Sequence, residues 1–193
     1  MRECCNSTSL ELRHPLSFCA MKRYIFAIVL PLFALSALAA KTEELYMLYN
    51  RSDGSKLYYI REQPMTATNG GKGQLTYDIT YIDSDTLSTW RLSVTVPMRL
   101  RIDSIGFRRG TMEQIVPITL LYREPAKKDW EHRIEATLPY SVTQTLFAPN
   151  PALQIVVYHA DGRCTFARLP QKDWANLCTQ MRDVFWVIEN DRR

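Results

Sequence analysis

Histidine and cysteine are sparse in this chain of 193 residues, with three of the first and five of the second. Cys4, Cys5, Cys19 and His14 all precede Met21, so the stretch from Ala40 onward holds only His132, His159, Cys164 and Cys178. A cysteine-stapled scaffold is therefore excluded, and an oxidising compartment permits one bridge at most. Metal ligation asks for at least three convergent ligands, and neither the early cysteines nor the two later histidines have that spacing. The chain also lacks a Gly-x-Ser-x-Gly elbow and a His-Glu-x-x-His helix. Its glycine cluster, Asn69-Gly70-Gly71-Lys72-Gly73, has neither the length nor the terminal Lys-Ser/Thr of a phosphate loop. No cofactor motif is present.

A strong charge bias is missing too. Removing Arg2, Arg13, Lys22 and Arg23 together with Glu3 and Glu11 lowers the net charge from +4 to +2. Nucleic-acid binding would require a marked basic excess, so that class is set aside. Repeats and low-complexity tracts are absent, and the apolar content is that of an ordinary folded domain. The 154 residues from Ala40 make one domain, large enough to bury a core.

One long apolar run is present, and it reads as an address. Met21-Lys22-Arg23 is a positive start, Tyr24–Leu35 is uncharged and apolar, and Ser36-Ala37-Leu38-Ala39 supplies the small residues before a cut at Ala40. Residues 21–39 are expected to be a secretory signal, leaving no stable membrane span after cleavage. The competing reading is an anchor, but Tyr24–Ala40 sits at the short end of what crosses ~30 Å of hydrocarbon, and Pro31 interrupts it. Residues 1–20 make an untidy leader. They are read as a disordered upstream extension, with translation starting at Met21. The expected destination is the periplasm or the exterior.

From Leu45 to Leu169 the pattern is that of short strands. Trp90, Leu92, Val94, Val96, Met98, Leu100 and Ile102 are apolar at every second position, which assigns them to one face. Pro97 makes this either an edge strand or two strands meeting at a bend. Leu75, Tyr77, Ile79 and Tyr81 alternate likewise, as do Ile134, Ala136 and Leu138. Ile115–Tyr122 is apolar on both faces, as expected of a strand covered on both sides. Turns fall at Ser52–Ser55, Asp83–Asp85 and Asp161-Gly162, the last pair being preferred for a two-residue hairpin.

Ser141-Val142-Thr143-Gln144 has capping-box form and opens a short helix over Val142–Ala148. Trp174, Leu177, Cys178, Met181, Val184, Phe185 and Ile188 form one stripe of a helix over about 171–190. The fold class that follows is mainly β: an antiparallel sandwich or strongly curved sheet of about 8–9 strands, with a C-terminal amphipathic helix packed on it.

Candidate sites are few. A two-residue turn at Asp161-Gly162 would place His159 opposite Cys164, with Cβ atoms ~5 Å apart, the raw material of an activated thiol. The competing reading puts Cys164 in the core, within reach of a disulfide to Cys178 on the closing helix. His132, between Glu131 and Glu135, reads as a solvated strand start rather than a metal ligand. Arg91, Arg99 and Arg101 share a face that could meet an anionic surface, or simply discourage edge-to-edge pairing. Trp130 and Trp186 lie off the apolar patterns and are candidates for contact with a protein or sugar.

These features lead to an exported, non-catalytic binding or envelope-associated interaction protein, with a protein, glycan or lipid partner. A carrier holding a lipid or other apolar ligand inside a curved sheet is the second reading. A hydrolase built on His159, Cys164 or His132 is the third.

Overall fold

The computed structural model describes residues 45–67, 74–96, 101–162 and 164–191. The expected signal and upstream stretch, Arg99, Pro97 and the Asn69–Gly73 cluster lie outside the described residues. Ten strands follow in chain order: β1 (Tyr46–Asn50), β2 (Lys56–Ala67), β3 (Gln74–Ile82), β4 (Leu87–Val96), β5 (Ile102–Arg109), β6 (Met112–Pro117), β7 (Thr119–Ala126), β8 (Asp129–Pro139), β9 (Gln154–His159) and β10 (Cys164–Arg168). Among the described residues these strands are joined by two helices, α1 (Tyr140–Leu146) and α2 (Gln171–Asp191).

Every pairing is antiparallel, in the order β6-β5-β9-β10-β2-β3-β4-β8-β7, and β1 lies on β2 beside this path. The two ends of that order, β6 and β7, are consecutive in the chain and joined by Ile118 alone. A flat sheet of nine strands would hold its edges about 38 Å apart at ~4.8 Å per interval. One linking residue spans only about 7 Å. The sheet therefore curls into a half-barrel until its edges meet at Ile118, and β6 also lies against β8. The mainly β, strongly curved sheet expected from the alternation is what forms.

The concave face carries the core. Along β4 the inward positions Ser88, Trp90, Leu92, Val94 and Val96 are buried, while the alternate ones are half-buried or exposed. β4 is internal, between β3 and β8, so the alternation on either side of Pro97 belongs to two strands. The turn at Ser52–Ser55 forms as expected, with Gly54 at φ +85° and Asp53 Oδ1 accepting from the Ser55 backbone N–H at 3.0 Å.

Helix α2 lies across the concave face. Its buried stripe is the one read from the sequence, and it joins the strand side chains in a single core. Aromatic contacts tie the layers together. Trp90 of β4 stacks with Tyr77 at 5.1 Å and with Phe147 at 5.8 Å, and Phe147 stacks on Trp174 at 5.4 Å. The surface that an apolar ligand carrier would offer is thus covered by the chain's own helix.

Helix α1 departs from expectation. It opens at Tyr140 directly from β8, with Pro139 at the N-cap and no side-chain cap hydrogen bond. The capping box is not used because the helix starts one residue before Ser141, which places Ser141 inside the first turn instead of at the N-cap. Thr143 Oγ1 accepts from Trp90 Nε1 at 3.0 Å and lies 2.6 Å from Ser88 Oγ. Ser88 in turn donates to the Leu138 carbonyl at 3.2 Å, so Thr143 is the donor to Ser88. This relay satisfies three polar groups inside the core, where each would otherwise cost about 1–3 kcal/mol.

The doubly covered strand expected over Ile115–Tyr122 is not formed. The chain changes partner at Pro117, which has no N–H for a ladder, and the two halves become the edge strands β6 and β7. Val116 is buried, whereas Ile115, Leu120, Leu121 and Tyr122 are 53, 47, 45 and 46% exposed. A bulge between Leu120 and Tyr122 further breaks the pairing with β8. Bulges and prolines of this kind protect an edge from further strand addition.

Candidate functional site

The proposed thiol–imidazole pair is not assembled. Gly162 does turn the chain, at φ +82° with its N–H on the His159 carbonyl at 3.0 Å. The register is nevertheless one residue away from a two-residue hairpin, and Tyr158 is the residue opposite Cys164. A slip of one residue reverses the face of a side chain. His159 consequently turns to the buried side, where Nε2 meets Thr165 Oγ1 at 3.0 Å. Cys164 shares the convex face with Tyr158.

The same slip separates the cysteines. Cys178 is buried on α2 over the concave face, and neither Cys164 nor Cys178 is in a disulfide, so the expected bridge is not formed. Alkylation in denaturant without reductant is expected to modify Cys164 and Cys178 in full, read by peptide mass mapping. A linked peptide pair in place of the two alkylated ones would contradict the register.

His132 is buried on the concave side of β8, and the alternation sends Glu131 and Glu135 to the other face. Among the described residues no three His, Cys, Asp or Glu side chains converge as metal ligands.

The arginine row is dispersed. Arg91 is bound to Glu135 at 3.0 Å and to Thr80 Oγ1 at 3.1 Å. Arg101, ahead of β5, is exposed beside Asp103 at 3.5 Å. Arg108 is paired with Glu113, and Arg109 donates to the Thr145 carbonyl. Arg91 belongs to a polar network across β3, β4 and β8 on the convex face. Within it Arg133 bonds the buried carboxylate of Asp78 and, at 2.9 Å, Ser93 Oγ. Burial nonetheless holds the Asp78 carboxyl above its ordinary 3.8, with Arg133 pulling the other way.

Trp130 stands in β8, half-buried, opposite Val96 and Pro125. Trp186 is different. It is 64% exposed, the most exposed large apolar side chain among the described residues. It rims a cavity of about 360 Å³ between α2 and the segment that runs from α1 through Phe147 to Pro149.

That groove is held open by specific contacts. Gln171 Nε2 donates to the Pro149 carbonyl at 2.7 Å, and Trp174 Nε1 to the Ala148 carbonyl at 3.0 Å. At the far end Gln144 Nε2 reaches Glu189 Oε1 at 2.6 Å. The floor is aromatic, with Phe147 edge-on to Phe185 at 5.8 Å. Cys178 also lines it, and burial pushes its thiol up to about 11, so it stands there neutral and apolar. On the α2 wall Arg182 is exposed and makes no ion pair or hydrogen bond among the described residues. An apolar floor with a few convergent polar groups is the usual make-up of a ligand pocket.

No family model, curated protein or solved structure matches the chain.

Of the candidate site residues singled out in the sequence, Trp186 and Cys178 line this groove. Arg182, Glu189, Phe147 and Gln144 were not singled out. Arg182, Trp186 and Glu189 recur at four and three residues, a second stripe beside the apolar one. Nothing in one-dimensional spacing says that Phe147 will face it.

Proposed function

We propose that this is an exported, non-catalytic binding protein that takes its ligand in the groove between α2 and the α1–Pro149 segment. The observation that carries this reading is Trp186, a large indole left 64% exposed at the rim of an aromatic-floored cavity. Exposing an indole forgoes burial worth about 2 kcal/mol, and such residues are typical anchors of binding surfaces. The polar groups around the groove are a guanidinium, a carboxylate, an amide and a hydroxyl, which hold and orient a ligand. Its one thiol is protonated and is not poised as a nucleophile. An apolar carrier is the weaker reading, because α2 and the aromatic contacts of Trp90 pack on the concave face.

Native mass spectrometry of the chain purified from its own cells, beside its Trp186→Ala variant, tests this. The expected result is an adduct on the wild type that leaves on denaturation and is lost from the variant. Truncating an anchoring tryptophan weakens binding by about thirtyfold or more. An adduct held equally by both proteins, or by neither, would count against the groove.

A further inference from the structure

We infer that the groove binds a short peptide with free ends, its carboxylate on Arg182 and its amine on Glu189. This rests on the reading of the groove as the binding site and names the ligand class.

The argument begins with helix geometry. Arg182 and Glu189 are seven residues apart, just under two full turns of α2, so they project along nearly the same line. Their Cα atoms stand about 10 Å apart at 1.5 Å of rise per residue. Trp186 lies between them in height and roughly 40–60° around the axis. One wall of the groove therefore presents a cation, an indole and a carboxylate in that order. The facing wall supplies Phe147, and Phe185 lies beneath.

The two charges are not used up by the fold. Arg182 has no ion pair or hydrogen bond among the described residues. Among the described residues Glu189 accepts only from the neutral amide of Gln144, through Oε1, which orients the carboxylate without cancelling its charge. Nearby Asp191 is already taken by Lys56 at 3.2 Å and Tyr58 at 2.7 Å. No ion pair joins the two among the described residues, so each is left to a ligand.

A ligand complementary to this wall carries an anion and a cation about 10 Å apart with an apolar body between them. An extended peptide advances about 3.3–3.6 Å per residue, so three residues span the gap. The cavity of about 360 Å³ is of small-ligand size. The carboxylate would meet the Arg182 guanidinium, which presents a planar fork suited to it. The ammonium would meet the free oxygen of Glu189, and an apolar central side chain would lie against Trp186 and Phe147.

The test is a calorimetric titration with Ala-Leu-Ala, and with the same peptide N-acetylated or C-amidated, at low salt. Wild type is compared with Arg182→Gln and Glu189→Gln, both at exposed positions, where a substitution is expected to change stability only slightly. Free peptide is expected to bind wild type, and each blocking group to weaken binding by about fivefold or more. Acetylation should cost nothing further in Glu189→Gln, and amidation nothing further in Arg182→Gln, since each variant has already lost that partner.

Equal binding of free and blocked peptides, or no binding at millimolar peptide, would overturn the assignment. If no peptide binds while Trp186→Ala still loses a cell-derived adduct, the peptide class fails and the groove stands. If the peptide binds wild type and Trp186→Ala equally, the groove itself is the wrong site.

Discussion

Replacing Arg133 by methionine is expected to destabilise the fold by about 3–5 kcal/mol at pH 7, the usual cost of stranding a buried charge. Asp78 is 1% exposed on the convex face, and Arg133 carries its only ion pair, with Oδ1 unsatisfied among the described residues. Methionine preserves the volume and apolar stem of Arg133 and removes the charge and the bond to Ser93. The remaining arginine nearby, Arg91, stands opposite Asp78 in the register but is engaged by Glu135 and Thr80.

The pH dependence separates this cause from a packing defect. Burial holds the Asp78 carboxyl above 3.8 even with Arg133 in place, and losing that cation raises it further. In the window from 3.8 upward to the raised value, the folded protein binds the proton that the unfolded chain has released. Stability from this group therefore falls as pH rises. The deficit of the variant relative to wild type should be largest near neutrality and shrink on acidification, as Asp78 becomes a neutral acid. Urea unfolding of both proteins at pH 7 and pH 5 measures it. A deficit that is the same at both values would show that the lost contacts, not the stranded carboxylate, set the cost.

Trp90→Ala should cost a similar amount, about 3–5 kcal/mol, from transfer and cavity together. Trp90 is fully buried at the centre of the concave face. Its ring contacts Tyr77, Phe107 and Phe147, so one truncation opens space between the sheet and the segment that forms the groove wall. Its N–H is the donor that begins the Thr143–Ser88 relay. At about 2–4 °C per kcal/mol for a chain of this size, the melting temperature should drop by about 6–20 °C.

Native stability is only about 5–15 kcal/mol, so a loss of this size removes much of it, and a milder variant is tested alongside. Trp90→Phe keeps most of the ring and removes the N–H; it is expected to lose about 1–3 kcal/mol. A phenylalanine variant as stable as wild type would mean that the relay contributes nothing. An alanine variant within 1 kcal/mol of wild type would mean that the core closes over the gap.

Both substitutions act where the sheet's two faces are each specified by period-two alternation. That signal was plain in the sequence, and the structure keeps it. The inward side chains of β3, β4 and β8 are those read from Leu75–Tyr81, Trp90–Val96 and Ile134–Leu138. The α2 stripe is kept as well. These features were legible because they depend on local geometry, a turn of helix or a pleat, repeated over enough residues to outweigh exceptions. The apolar run Ile115–Tyr122 misled for the same reason. A continuous apolar stretch states that side chains are apolar, not what covers them, and here two half-strands take different neighbours on either side of Pro117.

Register and closure are not local quantities. A one-residue shift in the register of β9 against β10 put His159 and Cys164 on opposite faces, and with that both the thiol pair and the disulfide disappeared. The groove is of the same kind. Trp186 was marked by its departure from the apolar stripe, but Phe147 and Gln144 reach it only because the curled sheet brings the end of β8 over α2. By itself the sequence determined the strand-rich class, the inward sets and the closing helix, since each follows from periodicity along the chain. Only the tertiary structure decided which charged side chains were neutralised in the sheet and which were left at a groove, because that depends on neighbours brought from far along the chain.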